Sequence, residues 1–159
     1  MKRAKDTAKA VALENDSVET VEEWIVVRER RLGIFEGSYE LCHAQLKVEE
    51  GIEDKELLTW RIPKGESLMD LSERIKKFLP QLIKQAEILP SSNSSILIVS
   101  HELFLKELHR VLSSFSDTGP LFGMAYVYYP NTGVSHYSIC FASEKEDIYG
   151  VSGLCLWGT

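Results

Sequence analysis

A histidine in the middle of the sequence stands between a short apolar run and a helical pattern. Residues 94–112 read SSILIVSHELFLKELHRVL, and the apolar run Ile96 to Val99 predicts a buried strand that ends just before His101. Ligands of open α/β sheets bind at the carboxyl ends of strands. A helix that begins after His101 offers N–H groups and a partial positive charge to an anion. The pattern predicts an anion site at His101, but a histidine that only closes a strand fits the position equally well.

Three segments show the spacing of amphipathic helices and would position this histidine. Residues 1–13 place apolar side chains on roughly one helical face. A second helix is predicted to begin at a capping-box pattern, Ser67 with Asp70, and to continue with apolar residues three and four apart. Pro80 lies inside it and is expected to kink or split the helix. The third helix is predicted over residues 102–113.

Short apolar runs bounded by turn residues predict the strands. Strands are expected over residues 24–27 and 96–100, and residues 125–129 and 134–141 are expected to pair as a hairpin through a PNTG turn. The charged segment 28–37, RERRLGIFEG, is predicted to be a loop. Residues 38–60 are predicted to be helical in part, although their apolar pattern is weak. With this segment included, the order α, β, α, α, β, α, β, β predicts a layered α/β fold.

Length and composition indicate one globular domain over residues 1–159. The formal net charge of −6 argues against a nucleic-acid binder, although a few arginines can still form a positive pocket for a small anion. No apolar run reaches the ~18 residues that a membrane span needs, and residues 1–16 lack the pattern of a secretory signal. A cytoplasmic location is therefore expected, with a nuclear or organellar address left open. Cys42, Cys140 and Cys155 show no CxxC spacing and are expected to be free thiols, with neither a disulfide framework nor a metal site.

Five stretches in one order add a family resemblance. These are MKRAKDTA, RERRLGIFEG, PKGESLMDLSERI, ILIVSHELFLKEL and PNTGVS. They resemble the phosphoglycerate mutase-like branch of the histidine phosphatase superfamily, and most of all the TIGAR-type fructose-2,6-bisphosphatases. The resemblance covers essentially the whole chain and implies a three-layer α/β/α fold. It also implies hydrolysis of a phosphate monoester on a small metabolite through phosphohistidine, without a metal or cofactor.

The resemblance assigns roles to three residues. Arg3 matches the arginine that grips the phosphate, a role that suits the guanidinium fork. Glu29 matches the acid/base carboxylate, whose proton a neighbouring phosphate would help to hold. His101 matches the second family histidine, which stabilises charge in the transition state. Without the resemblance, Arg3 and Glu29 would be interpreted as solvated surface charges.

Further positions are implied more weakly. Arg30 and Arg31 are candidates for the far end of a phosphorylated substrate, and one of the two is expected to be only a solvated charge. Asn131, Thr132 and Gly133 match a turn near the family's pocket, although an ordinary hairpin turn explains them equally well.

The chain also departs from the family pattern. The Arg-His-Gly signature that holds the attacking histidine is absent, and His43, His109 and His136 match no family site. Glu102 stands where the family usually has glycine, and beside a phosphate its charge would repel the ligand unless it points away. We therefore expect an incomplete, N-terminally truncated domain that lacks the central first strand.

The departures leave several functional interpretations open. The chain would be a truncated product of a longer gene, a short or degenerate form without chemistry, or a protein that dimerises to cover the gap. As an enzyme, the parent protein would hydrolyse a compound such as fructose-2,6-bisphosphate or bisphosphoglycerate, while this chain alone would be inactive. The alternative is a non-catalytic protein that binds a phosphorylated ligand or a protein partner.

Overall fold

The computed structural model describes residues 2–18, 20–37, 58–90, 94–115, 134–142 and 147–156. Helix α1 covers Lys2–Leu13, α2 covers Leu68–Glu87 and α3 covers Glu102–Ser113. Strand β1 covers Val134–Ala142 and pairs antiparallel with β2, Asp147–Leu156. Short 3-10 turns lie at Ile25–Val27 and Gly33–Phe35. The helices predicted over residues 1–13, from Ser67 onwards and over residues 102–113 are confirmed. The segment predicted to be partly helical at residues 38–60 lies, up to residue 57, outside the described residues.

The predicted capping box begins α2. The Ser67 hydroxyl accepts a hydrogen bond from the Asp70 amide at 3.0 Å, and the Asp70 carboxylate accepts one from the Ser67 amide at 2.8 Å. Two amides that the helix itself cannot satisfy are thereby paired. The local sequence pattern was sufficient to predict this helix start.

Pro80 does not split α2. The helix runs unbroken through Pro80, although proline supplies no N–H to the carbonyl of Lys76. Buried residues lie on both sides of the proline, with Phe78 and Leu79 before it and Ile83 after it. Their burial stabilises the helix across the proline by more than the lost hydrogen bond costs, since each buried apolar side chain contributes about 1.5–3 kcal/mol. The predicted split is wrong.

The core of the described residues lies between α2 and α3. Four apolar residues of each helix are buried: Leu71, Ile75, Phe78 and Leu79 of α2, and Phe104, Leu108, Val111 and Leu112 of α3. Phe78 also makes edge-to-face contacts with Trp24 and Phe104, at ring-centroid distances of 5.9 and 6.4 Å. The start of α3 is therefore packed against the middle of α2.

The predicted strand over residues 24–27 is wrong. Ile25–Val27 form a 3-10 turn, and the exposed fraction of Ile25 is 81%. Arg74 of α2 donates to the carbonyl of Val26 at 2.6 Å, and the Ser100 hydroxyl donates to the carbonyl of Val27 at 2.5 Å. Distant side chains thus occupy the carbonyl groups that a neighbouring strand would have needed.

The sheet also differs from the expectation. Residues 94–100 belong to no helix or strand, and Ile96 and Leu97 are exposed, so the predicted buried strand at 96–100 is wrong. The predicted strand at 134–141 is confirmed as β1, but its partner is β2, which the sequence interpretation missed. Residues 125–133, the rest of the predicted hairpin, lie outside the described residues.

The described parts of the chain contain one sheet, of two antiparallel strands. The three-layer arrangement and the parallel sheet around His101 therefore stay predictions. None of the described helices is long and apolar enough to cross a membrane.

Candidate functional site

His101 is the residue at which α3 begins. Its backbone is extended, with φ −122° and ψ 162°, and its carbonyl accepts the first helical hydrogen bond from the Leu105 amide at 2.9 Å. Its side chain does not cap the helix, and its Nε2 atom is buried without a hydrogen-bond partner among the described residues. A buried imidazole nitrogen without a partner is unusual, because leaving it unpaired costs free energy.

The charge state of His101 depends on its surroundings. Partial burial lowers the pKa of the imidazole, the Glu29 carboxylate opposes this effect, and the positive charge of Arg3 lowers the pKa further. The ring is therefore neutral at neutral pH. A neutral imidazole presents one donor and one acceptor nitrogen, so Nε2 can serve a ligand in either role.

Glu29 lies at the amino end of α3, next to His101. One carboxylate oxygen, Oε1, accepts from the Phe104 amide at 3.1 Å and from the Arg30 amide at 2.9 Å, and Oε2 faces the Leu103 amide at 3.4 Å. First-turn amides have no partner within a helix and carry partial positive charge. The carboxylate of Glu29 therefore occupies the anion-binding position that the sequence predicted for α3.

Arg3, Glu29 and His101 come from separate parts of the chain. Arg3 is exposed on α1, and its charge is near enough to act on the His101 ring. Glu29 acts on the same ring from the segment that precedes Gly33. Glu29 contacts the first amides of α3 beside His101, and the charge of Arg3 acts on the same ring, while the roles of the three residues in chemistry stay predictions.

The two other arginines of this segment differ in exposure. The exposed fraction of Arg30 is 5%, and its Nε donates to the Glu66 carbonyl at 2.8 Å, which makes this side chain part of the framework. Arg31 is exposed, while its amide donates to the Glu66 carboxylate at 2.9 Å. Of the pair, Arg31 alone presents its side chain to solvent. The predicted turn Asn131–Gly133 lies outside the described residues.

A carboxylate that the sequence interpretation did not select lies behind Glu29. Glu66 forms a two-point ion pair with Arg28, through Nη1 at 2.8 Å and through Nη2, and accepts from Arg74 at 3.1 Å. Arg28 is 38 residues away in sequence, so no local spacing could have revealed the pair. The excess positive charge of RERRLG was a signal that a distant carboxylate would be needed, but it did not identify Glu66.

Arg74 connects this network to the backbone on both sides of Glu29. Its Nη1 atom donates to the carbonyls of Val26 and Arg28 at 2.6 and 2.9 Å, and its Nη2 atom faces the Glu29 carbonyl at 3.4 Å. The guanidinium also lies over the Phe104 ring, 5.8 Å from its centroid, a distance at which cation–π attraction operates.

Two glycines allow the Glu29 segment to approach the turn before α2. Gly33 has φ +55°, and a Cβ atom there would lie 2.1 Å from the Pro63 carbonyl oxygen. A Cβ on Gly65 would lie 2.7 Å from the Arg31 carbonyl oxygen. The close approach permits hydrogen bonds from the Ile34 amide to the Pro63 carbonyl at 3.1 Å, and from the Glu66 amide to the Arg31 carbonyl at 2.9 Å. The glycine of ERRLG is therefore required by packing.

Glu102 points away from Glu29. Its carboxylate pairs with Lys106 one helical turn later at 2.6 Å, and its side chain is 48% exposed. The pair lies on the outer face of α3, and Lys106 compensates the negative charge of Glu102, the residue that departs from the family pattern.

His109 has a structural role. It is buried and hydrogen-bonded through Nδ1 to the Tyr137 hydroxyl at 2.8 Å, so it joins α3 to β1.

These groups can bind an anion and move a proton. The start of α3 offers amides, His101 offers an unpaired ring nitrogen, Arg3 offers a positive charge and Glu29 offers a carboxylate. Among the described residues, no cluster of three or more histidine, cysteine or acidic side chains could hold a metal ion.

Comparison with known proteins gives one match. The family model described as "Histidine phosphatase superfamily (branch 1)" matches residues 1–140, a range that includes Arg3, Glu29 and His101. Searches of curated proteins and of solved structures found no match to the chain.

Proposed function

Since the chain belongs to branch 1 of the histidine phosphatase superfamily, we propose that it binds a small phosphorylated metabolite at the start of α3. Membership places it among phosphatase-like and mutase-like proteins with an α/β fold. The proposal assigns phosphate binding to Arg3, acid/base chemistry to Glu29 and charge stabilisation to His101. It also includes the three-layer fold and a cytoplasmic location.

The observation that carries the proposal is the carboxylate of Glu29 on the Leu103 and Phe104 amides, beside His101. An anion already resides there, and a phosphate oxygen needs the same donors. We infer that a bound phosphoryl group takes these amides and the Nε2 atom of His101. Glu29 is then displaced towards the ester oxygen, where the neighbouring negative charge favours its protonated form.

The chemical step needs a nucleophile, an acid and a water molecule. A histidine nitrogen attacks phosphorus, the bond between phosphorus and the ester oxygen breaks, and Glu29 protonates the leaving oxygen. Water then attacks the phosphohistidine, gives its proton to Glu29 and releases inorganic phosphate. Arg3 and His101 stabilise the phosphoryl oxygens throughout.

The attacking histidine has no candidate within the 159 residues, since the sequence contains no Arg-His-Gly. His101 is assigned to charge stabilisation, and His109 is held by Tyr137. We therefore propose that the 159-residue chain binds phosphate without forming phosphohistidine. The second candidate function, a non-catalytic phosphate binder, is favoured by the same helix-capping position of Glu29.

We propose that the metabolite carries a second anionic group, and the exposure of Arg31 supports this proposal. Arg31 exposes its side chain near Glu29, whereas the buried Arg30 is removed from the proposed ligand contacts. A second anionic group on the metabolite would suit Arg31 and the turn Asn131–Gly133. A sugar bisphosphate such as fructose-2,6-bisphosphate, or bisphosphoglycerate, satisfies this requirement.

Binding is tested by titrating the chain with inorganic phosphate and following the histidine ring signals by NMR. Phosphate should shift the His101 signals in a saturable way and leave those of the exposed His136 unchanged. His101→Asn should weaken phosphate binding at least tenfold, while His136→Asn, the matched control, should leave it unchanged. Equal effects of the two substitutions would refute the proposed site.

Chemistry is tested with acetyl phosphate and 31P NMR. The 159-residue chain should give no phosphohistidine signal. A chain extended at its amino end by a family strand with Arg-His-Gly should be phosphorylated on the added histidine, and Glu29→Gln should slow its turnover of bisphosphates at least 100-fold. Phosphate on His101 of the short chain would instead make His101 the nucleophile and overturn the assignment.

A further inference from the structure

We propose that Glu66 is a positioning residue that, through Arg28 and Arg74, sets the backbone of Glu29 so that its carboxylate reaches the start of α3. The functional importance of this arrangement rests on the role proposed above for Glu29. The structural claim itself concerns how one half-buried carboxylate, that of Glu66, controls the position of another, that of Glu29.

The first step is the pairing of the Glu66 carboxylate with Arg28 and Arg74. Its side chain is 14% exposed, and those of Arg28 and Arg74 are 13% and 14% exposed. Arg28 binds both carboxylate oxygens, while Arg74 binds one of them. A two-point guanidinium–carboxylate pair fixes orientation as well as distance, so Glu66 holds both guanidinium groups in place.

The second step is the contact of Arg28 and Arg74 with the backbone of Glu29. The Glu29 carbonyl accepts from Arg28 at 2.8 Å and faces Arg74 at 3.4 Å. Arg74 also holds the preceding carbonyl, that of Arg28, at 2.9 Å. Two successive peptide groups are therefore tied to the same carboxylate, and the direction in which the Glu29 side chain leaves the backbone is determined.

The third step concerns α3, whose amides receive the Glu29 carboxylate. The Arg74 guanidinium lies over the ring of Phe104, the residue whose amide donates to the Glu29 carboxylate. Arg74 thus contacts both the backbone of Glu29 and Phe104, the residue whose amide binds the Glu29 carboxylate. Glu66 itself binds the Arg31 amide, which fixes the chain on the far side of Glu29.

The charge of Glu66 is retained under ordinary conditions. Burial raises the pKa of its carboxyl, but hydrogen bonds from Arg28 and the Arg31 amide, together with both guanidinium charges, outweigh burial and lower the pKa to about 2. The ion pairs therefore persist throughout the neutral range. The Arg74 Nε atom is buried without a hydrogen-bond partner among the described residues, so the hydrogen bonds that tie Arg74 to Glu66 and to the backbone come from its terminal nitrogens.

The test is amide hydrogen exchange of the whole chain without any ligand, read residue by residue by NMR. Glu66→Gln should accelerate exchange of the Leu103 and Phe104 amides at least tenfold, as Glu29→Ala should, because both substitutions remove the carboxylate from these amides. The Val111 amide lies near the end of the same helix, and its exchange rate measures any destabilisation that affects the whole of α3. After normalisation to Val111, the acceleration at Phe104 should remain.

Asp70→Asn is the matched control. It removes a carboxylate from α2 that also pairs with an arginine, Arg61, but makes no hydrogen bond or ion pair with Glu29 in the described part of the chain. It should change Phe104 and Val111 exchange by the same factor. If Glu66→Gln behaves as Asp70→Asn does, the positioning role is refuted. If Glu66→Gln does not fold, Arg74→Lys, which leaves the Glu66–Arg28 pair intact, should give the selective acceleration at Phe104, and its absence there refutes the proposal.

The exchange test needs no phosphate. A failure of the selective exchange effect therefore contradicts this inference alone. A failure of phosphate to bind at His101 contradicts the proposed function and leaves the positioning of Glu29 intact.

Discussion

Replacing Glu29 with alanine should weaken α3 at its start, far from Glu29 in sequence. In the folded chain the carboxylate accepts from the Phe104 amide at 3.1 Å and lies 3.4 Å from the Leu103 amide. Alanine has no acceptor, and Phe104 is fully buried, so its amide would lose its partner without gaining access to water. The charge that complements the helix dipole would be lost as well.

The magnitude follows from these two losses. A buried amide without a partner costs about 1–3 kcal/mol, and the lost charge at the helix start costs about 0.3–1 kcal/mol. The free energy of unfolding should therefore fall by about 2 kcal/mol. For a chain of 159 residues this corresponds to a decrease in Tm of about 4–8 °C.

The matched control is Glu102→Ala. Glu102 also lies in the first turn of α3, but it is 48% exposed and pairs with Lys106, so its removal should cost about 0.5 kcal/mol. Urea unfolding followed by circular dichroism measures both variants. If Glu29→Ala costs no more than Glu102→Ala, the carboxylate does not cap α3 in solution and the reasoning is wrong.

Three further predictions concern the framework. Gly33→Ala should lower the free energy of unfolding in urea by more than about 3 kcal/mol, because its Cβ would lie 2.1 Å from the Pro63 carbonyl oxygen. Gly37→Ala is the control: a Cβ there meets nothing within 4 Å, so its positive φ alone should cost about 1 kcal/mol. Ser67→Ala should lower the Tm through loss of the cap, at about 1 kcal/mol, and an unchanged Tm would contradict the capping box. Glu66 has a folded pKa of about 2 against 4.5 ordinarily, so its contribution is present above pH 4.5 and lost as pH falls towards 2. This pKa shift corresponds to roughly 3 kcal/mol of unfolding free energy, which solvent screening reduces to about 1–2 kcal/mol. In Glu66→Gln, the free energy of unfolding should therefore fall less steeply between pH 6 and 2 than in the unsubstituted chain.

Local patterns were sufficient for the helices and for the place of His101. The apolar spacing of residues 68–83, with Ser67 and Asp70 before it, predicted α2 and its cap correctly. The start of α3 directly after His101 was also predicted. Such features depend on neighbours three or four residues away, whose geometry a helix imposes by itself.

Local patterns failed where distant side chains satisfy the backbone. The apolar residues 24–27 suit a strand, but Arg74 and Ser100 take their carbonyls, and the segment forms a 3-10 turn. Residues 96–100 likewise suit a buried strand, but in the described part of the chain they have no strand partner. Strand formation depends on a neighbour, which the run itself does not contain.

The order of the motifs was enough to predict Arg3, Glu29 and His101 as candidate residues, and all three lie within residues 1–140, the range that the family model matches. What these residues contact became visible only in the folded chain. The tertiary structure put Glu29 on the amides of α3, turned Glu102 outwards to Lys106, buried Arg30 and placed Glu66 behind the site. Hydrogen bonds and ion pairs act over about 3 Å in space, whereas Glu66 and Arg31 lie 35 residues apart in the chain and Glu29 and Phe104 lie 75 residues apart.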